Sequence, residues 1–436
     1  MALTDEARDE GLVRAIGTGA LGVSIFNVTV GGGIFIYPGL VAADLGSAAV
    51  IAYFICSAAV ALVFLCYAEV GTRVTRSGGS YAYVEEAFGP FAGFIASTML
   101  WFGWAVLSDA GITIAMTETI GIAFPILREP LPRAIFIVSL LAFLAGVNVR
   151  GVRSGVRLYV FNTMAKLVPL LLLLIVGMFA IDPDNLVIRE WPSVSSIGAT
   201  AVLLFFAFAG AETGLSASGE VRDPARTVPL GLLVGITGIL SLYVGLQTVS
   251  QGVLGPELAN HTEAPLAAVA AQVFGDWGSK MLLVGGVISI YSTVSGDLLC
   301  TPRVIFAAAR DKNLPTFLGR VHPRFKTPYV AIIFFAAVIC GFALTGTFRP
   351  LAVVASGSIL SVYAGVCLAV IRLRQRDGMP GDGEFRLPFG PTIPLLACVV
   401  IAWLLLQITA EEAKGLAALL GVATAFYGIR KLLRRQ

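Results

Sequence analysis

The hydrophobic residues of this chain fall into long runs that short polar connections separate. A membrane-spanning helix needs about 20 mostly apolar residues. Backbone groups in hydrocarbon must be hydrogen-bonded within their own segment, so such runs should be helices. The pattern predicts an all-α membrane protein in a single domain, residues 1–436, with a polar tail at 1–14. We place its twelve segments at 15–42, 46–70, 92–124, 132–148, 157–181, 196–219, 229–252, 279–310, 328–346, 350–374, 391–410 and 413–433.

Composition supports this prediction and excludes several classes of protein. Charged residues make up 13% of the chain, whereas soluble proteins carry about 25%. The net charge of +3 is too small to indicate a nucleic-acid partner. The six cysteines lie in apolar runs without a C-x-x-C pair, and only two histidines are present. We therefore expect no metal site, no disulfide framework, no cofactor and no enzyme chemistry.

Lysine and arginine are distributed unevenly over the connections. If the chain begins in the cytoplasm, 23 of the 30 Lys and Arg residues lie on that side, six lie on the other, and Lys166 lies within a segment. The excess of positive charge on one side predicts that both termini are cytoplasmic. We expect a multi-pass protein of the cell (inner) membrane, surrounded by the lipid bilayer.

Two segments are expected to be interrupted. Segment 1 contains Gly31-Gly32-Gly33 followed by Pro38, and segment 6 contains Gly210, Glu212 and Gly214. Each glycine destabilises a helix by about 1 kcal/mol relative to alanine. Interrupted helices at matching positions of two halves indicate a transporter's binding site. Free N–H groups there suit a carboxylate and free carbonyls suit an ammonium group; the alternative is that the glycines serve close helix packing.

Four stretches, taken together in order, resemble the amino acid–polyamine–organocation transporter superfamily over nearly the whole chain. The resemblance implies a five-plus-five inverted repeat, with repeats at 15–181 and 196–374 and two additional helices at 391–433. The stretches are Gly31-Gly32-Gly33-Ile34-Phe35; Tyr67-Ala68-Glu69 with Ser77-Gly78-Gly79-Ser80-Tyr81-Ala82-Tyr83 and Gly89-Pro90; Phe208-Ala209-Gly210-Ala211-Glu212 with Glu220-Val221-Arg222-Asp223-Pro224 and Pro229; and Arg303 with Phe306-Ala307-Ala308-Ala309-Arg310-Asp311 and Pro315.

The resemblance also implies how a substrate is held. Its carboxylate would meet the N–H groups of Gly32 and Gly33, in the break that also contains Gly31. Its amino group would meet the carbonyls of Thr29, Phe206 and Ala209, beside Gly210. The Phe206 ring aligns with an aromatic ring that closes over the substrate; the alternatives are a lipid-facing or a core aromatic. Many relatives have a small polar residue in place of Gly32, which puts the strength of carboxylate binding in question.

Ionisable residues at membrane depth indicate function because they are costly to bury. Lys166 matches a lysine that takes the place of a sodium ion in sodium-independent relatives, with Ser292 and Ser295 as further partners. If it loses its proton it could carry the coupled proton, and if it stays charged it is a fixed cation. Glu212 aligns with a glutamate on the proton path of some relatives. Asp109 and Asp297 could pair with Lys166, relay protons, hold a cationic substrate group or bind backbone and hydroxyl groups.

These observations predict a secondary active transporter of amino acids that works by alternating access, without sodium and with protons as the coupled ion. The alternative is an exchanger of basic amino acids or polyamines, because a carboxylate at Asp297 would favour a cationic substrate. A nutrient sensor built on a transporter fold is a more remote one. Glu69 is expected to form an ion pair or a cap close to Arg73 at the cytoplasmic side. The sequence does not predict the substrate or the oligomeric state.

Overall fold

The structure, a computed structural model, describes residues 17–74, 79–150, 155–210, 212, 223–310, 314–381 and 384–433. The predicted tail at 1–14 lies outside the described residues. The described chain is helical, and we number its α-helices in order: α1 Thr18–Thr29, α2 Tyr37–Leu45, α3 Ala49–Arg73, α4 Ser80–Phe88, α5 Pro90–Ala123, α6 Pro130–Arg150, α7 Gly155–Gly177, α8 Val194–Phe208, α9 Pro224–Leu254, α10 Pro265–Phe274, α11 Asp276–Arg310, α12 Tyr329–Thr345, α13 Phe348–Asp377, α14 Thr392–Leu405 and α15 Ala410–Leu433.

Each predicted segment overlaps at least one of these helices. Eight helical stretches in the described part are long and apolar enough to cross a membrane by length and composition. Segment 1 consists of two short helices, α1 and α2, as the glycine run predicted. Segment 6 is described as α8, which ends at Phe208. The prediction of an all-α membrane protein is confirmed.

Two short helices were not predicted, because neither α4 nor α10 is long enough to form a membrane segment. Gly89 ends α4 with φ of +89°, a conformation that costs glycine little. α4 lies between the second and third segments, and α10 lies between the seventh and eighth. The two helices thus hold equivalent places in the two predicted repeats, which supports the inverted-repeat arrangement.

The most deeply buried helices surround the two interrupted segments. α8 is buried from Gly198 to Phe208 apart from the partly exposed Ala199, and its neighbours include α2, α3 and α13. α1 packs along α9, and α11 packs against both α5 and α7. α15 lies at the periphery, where most of its side chains are exposed. Helices α1, α2 and α8 therefore meet in the interior of the bundle.

Candidate functional site

The first break separates α1 from α2 and leaves the last carbonyls of α1 without their usual partners. In a continuous helix the N–H of Gly31 would bond to the carbonyl of Asn27. It bonds instead to the Thr29 carbonyl, at 2.8 Å. The Asn27 carbonyl accepts a hydrogen bond from the Lys166 ammonium group, at 2.6 Å. A cation therefore lies at the negative end of the α1 dipole.

The glycine run lies directly against α11. A Cβ atom at Gly32 would lie 2.3 Å from Cγ1 of Ile290, and one at Gly31 would lie 3.4 Å from Oγ1 of Thr293. Close packing therefore accounts for the absence of a side chain at Gly32. The first N–H groups of a helix have no partner within it, and Gly32 and Gly33 begin the short 3₁₀ turn Gly33–Phe35.

The second break repeats this arrangement at the end of α8. The N–H of Gly210, which a continuous helix would give to the Phe206 carbonyl, bonds to the carboxylate of Glu212 at 2.9 Å. Gly210 has φ of +109°, which takes the chain out of the helix. The Tyr363 hydroxyl donates to the same Glu212 oxygen. Ala211, Gly214 and the stretch from Glu220 to Arg222 lie outside the described residues.

Tyr243 of α9 joins the two breaks. Its hydroxyl lies 3.1 Å from the carbonyl oxygen of Thr29 and 2.9 Å from that of Ala207. The side chain is fully buried, and its ring packs edge-on against Phe208. One hydroxyl thus contacts a carbonyl from the last turn of the helix before each break. The sequence contained no signal for this residue, because a single tyrosine in an apolar run is typical of a helix core.

Phe206 lies in a cluster of aromatic rings beside the breaks. Its ring centroid lies 5.2 Å from that of Trp104, 6.1 Å from Tyr37 and 6.0 Å from Phe348. Trp104 belongs to a π-helical stretch, Met99–Val106, inside α5; such stretches are frequent at functional sites. Phe206 is 7% exposed, so a lipid-facing position is ruled out. Its predicted contact with substrate stays a prediction.

Lys166 and the two serines of α11 do not form one cluster of hydrogen bonds. The ammonium group of Lys166 contacts α1, as described above, and its side chain is buried. The hydroxyl of Ser292 instead accepts a hydrogen bond from the side-chain amide of Asn162, at 3.2 Å. Ser295 is partly buried further along α11. The structure therefore places α7 between α1 and α11, with Lys166 and Asn162 as its polar contacts.

Asp109 of α5 and Asp297 of α11 form a carboxyl pair inside the bundle. The two carboxyl groups lie close enough for each to act on the charge of the other. Asp109 has no exposed surface, and neither of its carboxylate oxygens has a hydrogen-bond partner in the described part of the chain. Asp297 is partly buried, and Glu212 lies close enough to act on its charge. Neither aspartate pairs with Lys166, whose ammonium group contacts Asn27.

An ion pair is found at each end of α13. At one end, Arg349 binds Asp44 of α2 through two hydrogen bonds, at 2.6 and 3.1 Å, and Thr200 donates to the same carboxylate. At the other end, Arg374 binds Glu69 of α3, at 2.7 Å from Nε to Oε1. We call these the Asp44 end and the Glu69 end of the bundle.

The Glu69 pair is buried, with side-chain exposures of 8% for Arg374 and 0% for Glu69. Glu69 also accepts a hydrogen bond from the N–H of Leu387, at 2.8 Å. An ion pair at Glu69 was expected, but with Arg73 as the near neighbour. Arg73 donates instead to the carbonyl of Gly378. The partner Arg374 lies 305 positions away in the chain, a distance that no local pattern bridges.

Comparison with known proteins identifies the family. The family model described as amino acid permease matches residues 16–426. The serine/threonine exchanger SteT of Bacillus subtilis is 28% identical over 97% of this chain and 98% of its own length. The branched-chain amino acid permease BcaP of Bacillus subtilis is 27% identical, over 92% and 89%. The arginine/ornithine antiporter of Pseudomonas aeruginosa is 29% identical, over 69% and 65%.

These relatives are transporters, not enzymes, and they include exchangers as well as a permease. The family match extends across both breaks and across α3, α5, α11 and α13. The resemblance inferred from the four sequence stretches is therefore confirmed. This chain belongs to the amino acid permease family of the amino acid–polyamine–organocation superfamily and is a multi-pass membrane transporter.

Proposed function

We propose that the protein is a sodium-independent, proton-coupled amino acid transporter of the cell membrane that works by alternating access. The observation that carries the proposal is the position of the Tyr243 hydroxyl, which contacts the carbonyls of Thr29 and Ala207. Both breaks therefore meet at one place in the interior. The excess of Lys and Arg on one set of connections supports cytoplasmic termini, with the Glu69 end facing the cytoplasm.

The chemistry of the breaks suits the backbone of an amino acid. Gly32 and Gly33 offer N–H groups at the start of a helical turn, where a carboxylate is stabilised. The Phe206 carbonyl is released from its helical partner, because the Gly210 N–H bonds to Glu212. The substrate ammonium group would meet this carbonyl and that of Ala209. Thr29 already accepts from Gly31 and Tyr243, so its carbonyl can bind substrate only when one of those bonds opens.

Sodium independence is supported by Lys166. Its ammonium group donates a hydrogen bond to the Asn27 carbonyl at the negative end of α1. A sodium ion bound there would need carbonyl oxygens such as this one as ligands. A fixed positive charge there repels a second cation. In this proposal Lys166 holds the end of α1 in place, and Ser292 and Ser295 lie on the facing helix.

The Asp44 end and the Glu69 end are proposed to be the two gates. The pair of Asp44 with Arg349 ties α2 to α13, and the aromatic cluster around Phe206 lies on the same part of the bundle. The pair of Glu69 with Arg374 ties α3 to the other end of α13. Because α13 takes part in both, opening one end can be linked to closing the other by a movement of the first and sixth segments against it.

Uptake into proteoliposomes tests the proposal. Purified protein is reconstituted and given radiolabelled serine, leucine or arginine in sodium-free buffer, with and without an inwardly directed proton gradient. Stimulation of uptake by the gradient, with no further effect of sodium, is the expected result. A requirement for sodium, or uptake that ignores the gradient, would contradict it.

One alternative function has an observation in its favour. The carboxyl pair of Asp109 and Asp297 could hold a cationic side chain, and the arginine/ornithine antiporter is among the relatives. In that case the protein would exchange basic amino acids or polyamines. Uptake of arginine that requires an internal basic amino acid, and that the proton gradient does not stimulate, would establish this alternative.

A further inference from the structure

The carboxyl pair of Asp109 and Asp297 has no compensating positive charge among the described residues. No lysine or arginine of that part of the chain forms an ion pair with either aspartate. The charged or titratable neighbours of Asp297 are Glu212 and Cys300. Arg303, a cation that acts on the charge of Cys300, donates to the carbonyl of Leu299. The surroundings of the pair are therefore acidic or neutral.

Two ionised carboxylates in contact, away from water, repel each other strongly. Burial adds a large desolvation cost that only a partner of opposite charge or a hydrogen-bond donor can offset. Among the described residues Asp109 has neither, because it has no exposed surface and no donor reaches its two oxygens. One proton held between the two carboxyl groups removes one charge and supplies the missing donor at the same time.

We propose that the carboxyl pair of Asp109 and Asp297 is the binding site of the transported proton. This inference rests on the proposed proton-coupled transport and assigns its proton to a site other than Lys166. An O–H bond forms on one aspartate when the pair is open to water on one side of the membrane. The same bond breaks when the pair is open to the other side, and the proton leaves to water there. Asp297 is the partly exposed member, so protons enter and leave through it.

The pair is placed to link its proton to the substrate site. Asp297 interacts electrostatically with Glu212, and Glu212 holds the N–H of Gly210 at the second break. A negative charge on Asp297 raises the energy of a charged Glu212, and a proton on the pair relieves it. The proton therefore stabilises the hydrogen bond between Glu212 and the N–H of Gly210 at the second break. Lys166 lies at the first break, where its ammonium group has its own partner.

The test compares two forms of transport in proteoliposomes. Gradient-driven uptake needs the transported proton, whereas counterflow at equal pH on both sides needs only substrate exchange. Asp109→Asn and Asp297→Asn should each lower the stimulation by the proton gradient to about 1, the value for uncoupled transport, and counterflow of leucine and arginine is measured alongside. Asp276→Asn is the control, because Asp276 carries an exposed carboxylate at the start of α11. This variant should keep the full stimulation by the proton gradient. Asp297→Glu should retain part of it.

Other outcomes would overturn the inference in recognisable ways. If wild type exchanges amino acids but ignores the gradient, proton coupling itself is wrong and this site falls with it. If wild type is stimulated and both asparagine variants are stimulated equally, the proton binds elsewhere. If both variants lose counterflow of arginine but not of leucine, the pair is a contact for cationic side chains. A pH-sensitive dye inside the vesicles reports proton entry directly and should show none for the variants.

Discussion

The ammonium nitrogen of Lys166 lies 2.6 Å from the carbonyl oxygen of Asn27, in the last turn of α1. This contact connects α7 to the first half of the interrupted segment 1. It supplies a donor to a carbonyl whose helical partner, the N–H of Gly31, bonds elsewhere. The stability of the first break is therefore expected to depend on a side chain from a helix that is not itself interrupted.

Replacing Lys166 by alanine should impair transport without preventing folding. The Asn27 carbonyl would lose its donor, which costs about 1–3 kcal/mol when no other donor replaces it. Thermal unfolding in detergent and counterflow of serine, leucine and arginine measure the two effects. Lys280→Ala is the matched control, because Lys280 is an exposed lysine on α11 and should change neither. Unchanged counterflow and uptake at every pH would remove Lys166 from the mechanism.

Tyr243→Phe should destabilise the protein by about 1–3 kcal/mol, since it removes the one hydroxyl proton that two buried carbonyls share and keeps the ring. Tyr53→Phe provides a close control. Tyr53 is equally buried and also packs edge-on against Phe208, but its hydroxyl has no hydrogen-bond partner among the described residues. We expect a lower melting temperature and slower counterflow for the first variant only. Equal behaviour of both variants would show that the link between the breaks is not needed.

The Glu69 end offers a comparison between a buried and an exposed ion pair. Glu69→Gln leaves the guanidinium group of Arg374 buried without its counter-charge, which typically costs about 3–5 kcal/mol. Glu86→Gln breaks an exposed pair with Arg376, which should cost at most about 1 kcal/mol. Denaturation in detergent measures both. If both variants lose at most about 1 kcal/mol of unfolding free energy, other contacts stabilise the Glu69 end.

At the Asp44 end, reversal of charge tests the proposed gate. Asp44→Arg places two guanidinium groups against each other at the start of α13, so it should hold this end open and slow exchange. The double variant Asp44→Arg with Arg349→Asp restores opposite charges and should recover part of the rate. Counterflow of wild type, both single variants and the double variant provides the comparison. If the double variant is no faster than the slower single variant, the ion pair does not control this gate.

Much of the fold could be predicted because the membrane imposes a simple rule on each segment. Length and apolar composition placed the twelve segments, and the glycine run at Gly31 located the first break. The helices α4 and α10 escaped prediction because they are too short to cross a membrane. The need for glycine at position 32 could not be predicted from the sequence, because it depends on the close approach of Ile290 from α11.

The contacts between distant parts of the chain could not be predicted. Asp109 and Asp297 were each recognised as costly buried charges, but their pairing depends on how α5 packs against α11. Glu69 was expected to form an ion pair or a cap close to Arg73, and its partner Arg374 lies 305 positions away in the chain. Tyr243 carried no signal at all. Composition shows which groups are expensive to bury, whereas only tertiary structure shows what compensates them.

The central claim is that this chain carries amino acids between two sides of a membrane through one site at the two breaks. Counterflow in sodium-free proteoliposomes tests it most directly, with vesicles preloaded with an unlabelled amino acid and the same labelled amino acid added outside. The account predicts that label accumulates inside for at least one of serine, leucine and arginine, and that Tyr243→Phe slows this accumulation. Well-folded protein that gives no accumulation above protein-free vesicles for any amino acid tested would contradict the account.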